Sequence, residues 1–264
     1  MNTGGNENFT FFRVKNKKST TFAEIFMTMS IIKHIPNTIT CCNLLSGCIS
    51  IYLTLNGFHF AAALMVFAAA IFDFFDGFAA RMLDAKSPIG GELDSLSDVV
   101  SFGVAPSFIL AHHMKLMDVG WMVGGVDVFV FLAFILAAFA AVRLAKFNID
   151  TRQSSSFLGL PVPAVGLFIA SLSIMMMRID GNGLLMKTVN NPYFFIVMIL
   201  VFSWLMVSEV PFFSFKMKNL RFAENKLRYV LVVFAVVSFA IFQWVALPFI
   251  FLFYILLSVI FYRG

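Results

Sequence analysis

The chain has 264 residues, 60% of them hydrophobic and only 12% charged, with a mean hydropathy of +0.91 and a net charge of +5. A soluble domain is about 25% charged, so this composition excludes a water-soluble globular fold and requires a bilayer to absorb the apolar surface. The basic balance suits loops facing anionic lipid, and no nucleic-acid partner is expected.

Residues 1–18 are polar and lack the apolar core of a signal peptide. Phe22, Ile25, Phe26, Met29 and Ile32 then recur at helical spacing, and Thr21 with Glu24 forms a capping box. This stretch is too short and polar to span, so it reads as an amphipathic helix lying in the membrane interface and ending at Pro36. Apolar runs follow at about 38–56, 58–83, 92–113, 121–147, 162–178 and 192–209. The last run, 229–262, is too long for one helix, and Gln243 and Pro248 place a break near 244–248. The expected fold is all-α: a polytopic membrane protein of about eight transmembrane helices preceded by an interfacial helix.

With eight spans, sixteen of the 19 Lys and Arg residues fall on the side that holds both termini, leaving only Lys115, Arg178 and Lys187 opposite. The positive-inside rule makes that side cytoplasmic. The expected location is therefore the cell membrane, multi-pass, with both termini inside. Cys41, Cys42 and Cys48 lack metal-ligand partners and read as small packed hydrophobes. The pair His112-His113 reads as interfacial, Met175–Met177 as packing, Asp127 as an interfacial residue early in the fourth span, and the 35 Phe as lipid-facing filler.

Six of the 14 acidic residues crowd into one window: Asp73, Asp76, Asp84, Glu92, Asp94 and Asp98. A carboxylate at the centre of a membrane helix costs roughly 2.5–3.5 kcal/mol. Asp73 and Asp76 share one helix face, Asp94 and Asp98 another, and the short turn through Pro88 and Gly90 makes the two helices antiparallel neighbours. The charge count puts this window at the cytoplasmic surface. Four carboxylates meeting in a partly dry site repel one another, and a hard divalent ion, Mg²⁺ or Mn²⁺, relieves that repulsion. Gly77, Ala79 and Ala80 clear space beside the acids, while Arg81, Ser87 and the Gly90-Gly91 turn offer donors suited to phosphate oxygens. Two metals side by side would suit a phosphoryl transfer, and one carboxylate could take the proton of an alcohol nucleophile. A cation transporter is the rival reading; it would place its acids nearer the bilayer midplane and within a repeat.

The pattern Asp76, Gly77, Ala80, Arg81, Gly90, Asp94, Asp98 resembles the signature of the CDP-alcohol phosphotransferase family at every position, with Asp73 as an extra leading acid. Residues 36–47, Arg143 to Asn148 and 157–164 are similar to segments of the bacterial integral membrane phosphatidylserine synthases within that family, as is the spacing of Ser208, Pro211 and Lys216. The resemblance covers about residues 30–220. The chain divides accordingly into an N-terminal arm (1–35), a six-helix catalytic core (36–215) that carries the resemblance, and a basic loop with two further helices (216–264). The resemblance implies transfer of a phosphatidyl group from CDP-diacylglycerol to L-serine with release of CMP, in a homodimer, with two divalent ions, Mg²⁺ or Mn²⁺, per site as cofactor. By the same resemblance Asp73, Asp76, Asp94 and Asp98 bind metal and Asp98 is also the base. Gly77, Ala80, Arg81, Ser87 and Gly90 would hold the cytidine diphosphate, with Asn37 and Thr40 nearby. Family members using glycerol 3-phosphate or inositol phosphate remain the alternative.

The serine pocket follows from residues instead. Serine's carboxylate needs a cation, and Arg143 sits at the cytoplasmic end of the fourth span, followed by Asn148, Arg152 and Gln153 in a polar loop. Glu209, near the cytoplasmic end of the sixth span, is left out of the pocket.

Overall fold

A computed structural model describes residues 34–85, 87–117, 119–150, 157–179, 183–213 and 225–261. The expected interfacial helix at 21–34 lies almost wholly outside the described residues. Three long helices come first: α1 (Ile35–Leu55), α2 (His59–Met82) and α3 (Pro88–Lys115). A small hairpin of β1 (Met122–Val123) and β2 (Val126–Asp127) leads to α4 (Val128–Ile149). After β3 (Phe157–Leu158) come α5 (Val162–Met176), the short α6 (Leu184–Val189) and α7 (Pro192–Val207). β4 (Pro211–Phe212), α8 (Lys226–Phe242) and α9 (Leu247–Phe261) follow among the described residues. The fold is all-α and polytopic: among the described residues five helical stretches, the last running from Lys226 to Phe261, are long and apolar enough to cross a membrane, and α5 and α7 are shorter apolar helices.

The fourth span starts later than its hydropathy suggests. Residues 122–127 form the β-hairpin, and Asp127 is a cap: its Oδ1 accepts from Phe129 N at 3.0 Å, opening a 3₁₀ turn. The final break falls at Gln243–Ala246, where Gln243 adopts φ 51. There α8 and α9 turn back on each other, with Phe234 and Phe253 stacked at 4.1 Å.

α1 shows how the sequence sorts its faces. Its buried residues are Pro36, Thr40, Asn43, Ser46, Gly47, Ser50 and Thr54, a stripe of small and polar groups at helical spacing. Its large apolar residues Leu45, Ile49, Tyr52 and Leu55 are exposed, as lipid requires. Membrane helices associate through small residues that let backbones approach, with hydroxyls as cross-links. Ser50 Oγ donates to Ala62 O on α2 at 2.8 Å, and Ser101 Oγ on α3 donates to Asn43 O at 2.9 Å. Gly47 touches α3 so closely that a Cβ there would lie 2.8 Å from Ser101 Cα. Cys41 and Cys48 are exposed rather than packed as the sequence suggested, because they fall on the lipid face of this helix.

α5 is the central helix: nearly all of it is buried, and it packs against α2, α3 and α9. The phenylalanines are not only lipid-facing. Phe102, Phe129, Phe195, Phe212 and Phe213 are fully buried and fill the space around α5 and α7. In α3 the six residues Val99–Val104 are π-helical, directly after Asp98.

Candidate active site

Only five residues separate the end of α2 at Met82 from the start of α3 at Pro88, so the acids of the two helices meet. Ser87 caps α3 by accepting from Gly90 N at 3.0 Å, and Pro88 occupies the first turn, where its missing N–H costs nothing. Asp73, Asp76 and Asp94 each present a carboxylate oxygen, and the three oxygens lie within 4.8 Å of one another. Asp76 Oδ2 and Asp94 Oδ1 are buried without a hydrogen-bond partner. Buried carboxylate oxygens are ordinarily satisfied. Two orphaned oxygens beside a third carboxylate form a donor set that fits a hard divalent cation.

Asp98 is one turn further into α3, buried, and outside that three-carboxylate group. Its Oδ1 accepts from Asn43 Nδ2 on α1 at 3.1 Å. Asn43 is itself fully buried, and Ser101 fixes its backbone carbonyl. The sequence reading assigned Asn43 no role. The signal was the buried polar stripe of α1, in which Asn43 is the residue level with the acids.

Beside the carboxylates opens a cavity of about 290 Å³. Of the residues expected to hold a nucleotide diphosphate, Asn37, Thr40, Gly77, Ala80, Ser87 and Gly90 all line it, together with Asp76 and Asp94. A Cβ on Gly90 would lie 3.0 Å from Asn37 Oδ1 and 3.1 Å from Ser87 Oγ, so the glycine keeps this wall open. Arg81 does not line the cavity. It is exposed, and its Nη1 would lie 3.9 Å from a Cβ placed on Gly77, which sets the guanidinium at the rim.

Arg143 is buried on α4, with its guanidinium carbon 5.5 Å from the Phe147 ring centre. Two loops wall it in. β3 pairs antiparallel with β4, Gly159 N donates to Val210 O at 2.8 Å and Leu160 N to Leu205 O at 2.9 Å. Gly159 has φ +85, and a Cβ there would lie 3.2 Å from Arg143 Nε and clash with the Met206 carbonyl. Only glycine fits. Lys146 Nζ donates to Val207 O at 3.3 Å and ties α4 to the end of α7. Asn148 shares two hydrogen bonds with Ser95 Oγ, at 3.0 and 3.2 Å, and so reaches the helix that carries Asp94. Arg152 and Gln153 lie outside the described residues. Glu209 is exposed just beyond α7.

Comparison with known proteins agrees with this geometry. A relative in Bacillus subtilis (strain 168), named CDP-diacylglycerol–serine O-phosphatidyltransferase, is 34% identical over 185 residues, covering 70% of this chain and 93% of the relative. A protein of the same name in Helicobacter pylori (strain ATCC 700392 / 26695) is 34% identical over 183 residues, covering 69% of this chain and 72% of its own. One in Methanocaldococcus jannaschii is 35% identical over 135 residues, 51% of this chain and 58% of the relative. The family profile described as CDP-alcohol phosphatidyltransferase matches residues 33–212, which include every carboxylate, cavity and Arg143 contact described above, and the chain belongs to that family.

Proposed function

We propose that the chain transfers the phosphatidyl group of CDP-diacylglycerol to the hydroxyl of L-serine, giving phosphatidylserine and CMP. The observation that carries this reading is the three-carboxylate group opening onto a cavity lined by small residues and donors, in a chain whose relatives bear that enzyme's name. Asp73, Asp76 and Asp94 would hold Mg²⁺ or Mn²⁺, two ions per site with help from Asp98. The ions would supply charge neutralisation for the diphosphate and its leaving oxygen.

The remaining work falls to side chains. Asn37, Thr40, Gly77, Ala80, Ser87 and Gly90 hold the cytidine diphosphate, and Arg81 meets phosphate oxygens at the rim. Asn43 holds Asp98 through Oδ1, leaving Oδ2 to accept the serine hydroxyl proton. The serine oxygen forms a bond to the phosphorus that bears diacylglycerol as the bond to CMP breaks, in line, without a phosphoryl-enzyme. Arg143 pairs with the serine carboxylate, and Asn148, Arg152 and Gln153 complete the acceptor side.

The reading places the site at the cytoplasmic face of the cell membrane, in a homodimer. It assigns catalysis to residues 36–215, with 1–35 as an interfacial arm and 216–264 as an accessory pair of helices. Purified protein with CDP-diacylglycerol, Mg²⁺ or Mn²⁺ and each of serine, glycerol 3-phosphate and inositol phosphate tests it by CMP release. CMP with serine is expected. No CMP with any alcohol overturns the enzyme reading, and CMP with another alcohol alone overturns the acceptor.

A further inference from the structure

At the opposite end of α2 and α3 from the carboxylates, three histidines come together. His59 opens α2, and His112 and His113 lie in the last turn of α3. The His59 ring centre is 3.9 Å from that of His112 and 6.2 Å from that of His113. Fourteen residues of α2 separate His59 from Asp73, about 21 Å at the α-helical rise, so this group is no part of the acidic site. Beside the rings is a cavity of about 440 Å³ whose lining includes His59, His113, Met117, Met176, Met177 and Met186. His59 comes from α2, His113 from α3, Met176 from the end of α5 and Met186 from α6, with Met117 two residues beyond α3 and Met177 just beyond α5; the sequence gives no hint that they converge.

Two features suit ligation. His59 Nδ1 is buried without a hydrogen-bond partner. His113 Nε2 lies 2.9 Å from Ser173 Oγ. A ligating imidazole ordinarily has its second nitrogen held by such a partner, and the contact leaves Nδ1 as the nitrogen available to a metal. The chemistry of the lining selects the ion. Among the described residues no carboxylate lines the cavity, and hard ions such as Mg²⁺, Ca²⁺ and Mn²⁺ take oxygen ligands. Thioether sulfur with imidazole nitrogen is the ligand set of a soft cation, and neutral ligands in a low-dielectric site favour a single positive charge over two.

We propose that this cavity binds Cu⁺ through imidazole nitrogens of His59 and His113 and thioether sulfurs of the methionines that line it. The experiment uses the full chain in detergent with Cys41, Cys42 and Cys48 replaced by alanine, because thiolates also take Cu⁺. Cu⁺ is titrated under reducing conditions against a chromogenic Cu⁺ chelator, with Zn²⁺ titrated in parallel. One Cu⁺ per chain should be retained, bound at least tenfold more weakly by His59→Ala and by the Met176→Leu, Met186→Leu pair. The leucine pair nearly conserves volume and keeps the packing. CMP release by each variant at the parent rate reports an intact fold without depending on copper. Failure of the parent to retain Cu⁺, or equal retention by His59→Ala, overturns the site. Zn²⁺ held more tightly than Cu⁺, or Cu⁺ retention indifferent to the methionine pair, overturns the soft-ion assignment.

Discussion

The hydrogen bond between Asn43 and Asp98 gives the sharpest test of the catalytic proposal. In Asn43→Ala, Asp98 loses the donor 3.1 Å from its Oδ1, and both groups sit where water does not replace it, Asn43 at 0% and Asp98 at 7% exposure. A hydrogen bond to a charged group is worth about 1.5–3 kcal/mol. If that energy serves to orient the base, its loss lowers kcat by roughly 10- to 150-fold. Asn43 does not line the nucleotide cavity, so the KM for CDP-diacylglycerol should stay within about threefold. The Ser101 bond goes to the Asn43 backbone carbonyl and survives the substitution. The thermal midpoint in detergent should therefore shift by only a few degrees. The assay is CMP release under saturating serine and CDP-diacylglycerol, with melting measured on the same preparations. A kcat within threefold of the parent, in a folded variant, would refute the assignment of Asp98 as a base positioned by Asn43.

The other tests concern neighbouring parts of the site. Asp94→Asn should lower kcat by more than a hundredfold and abolish Mn²⁺ binding seen by paramagnetic resonance, while melting in the absence of metal is unchanged or higher, since a buried carboxylate without a partner is removed; unchanged Mn²⁺ binding would count against the metal set. Gly90→Ala pushes a methyl against Asn37 Oδ1 and Ser87 Oγ, and should raise the KM for CDP-diacylglycerol about tenfold with a smaller effect on the KM for serine. Arg143→Ala should do the reverse, raising the KM for serine far more than that for CDP-diacylglycerol, and an unchanged serine KM would remove Arg143 from the acceptor pocket.

The chain's all-α membrane character and the meeting of Asp73, Asp76 and Asp94 were legible in the sequence, because they rest on composition, on local periodicity and on the short connection between α2 and α3. What lay out of reach depended on contacts between distant segments. Nothing near Asn43 in the sequence says that it touches Asp98, although the stripe from Pro36 to Thr54 shows which face of α1 turns inward. Arg143 and Gly159 meet only because β3 pairs with β4 across a separation that no motif encodes. The histidines and methionines look like interfacial and packing residues while each is read on its own helix; their convergence is a property of the bundle. Hydropathy misplaced the start of the fourth span because residues 122–127 are apolar enough to extend a helix, while Asp127 caps the turn that begins it.

The π-helical stretch Val99–Val104 separates two halves of one helix that carry different chemistry. A π-bulge amounts to one residue inserted into an α-helix, and one residue of α-helix turns by about 100°. The phase of α3 is thereby reset between Asp94 and Asp98 upstream and His112 and His113 downstream. Each half can face its own neighbours, the acids towards α1 and α2 and the histidines towards His59. Deleting Val100 would let the stretch relax to an ordinary α-helix with both halves still facing their partners, whereas forcing the stretch into α-helix with all its residues kept would rotate one half by about 100° and take either the carboxylates or the imidazoles out of their cluster. A helix that must serve both ends of a membrane cannot be phased by one continuous hydrophobic pattern, and the extra residue is what uncouples the two ends.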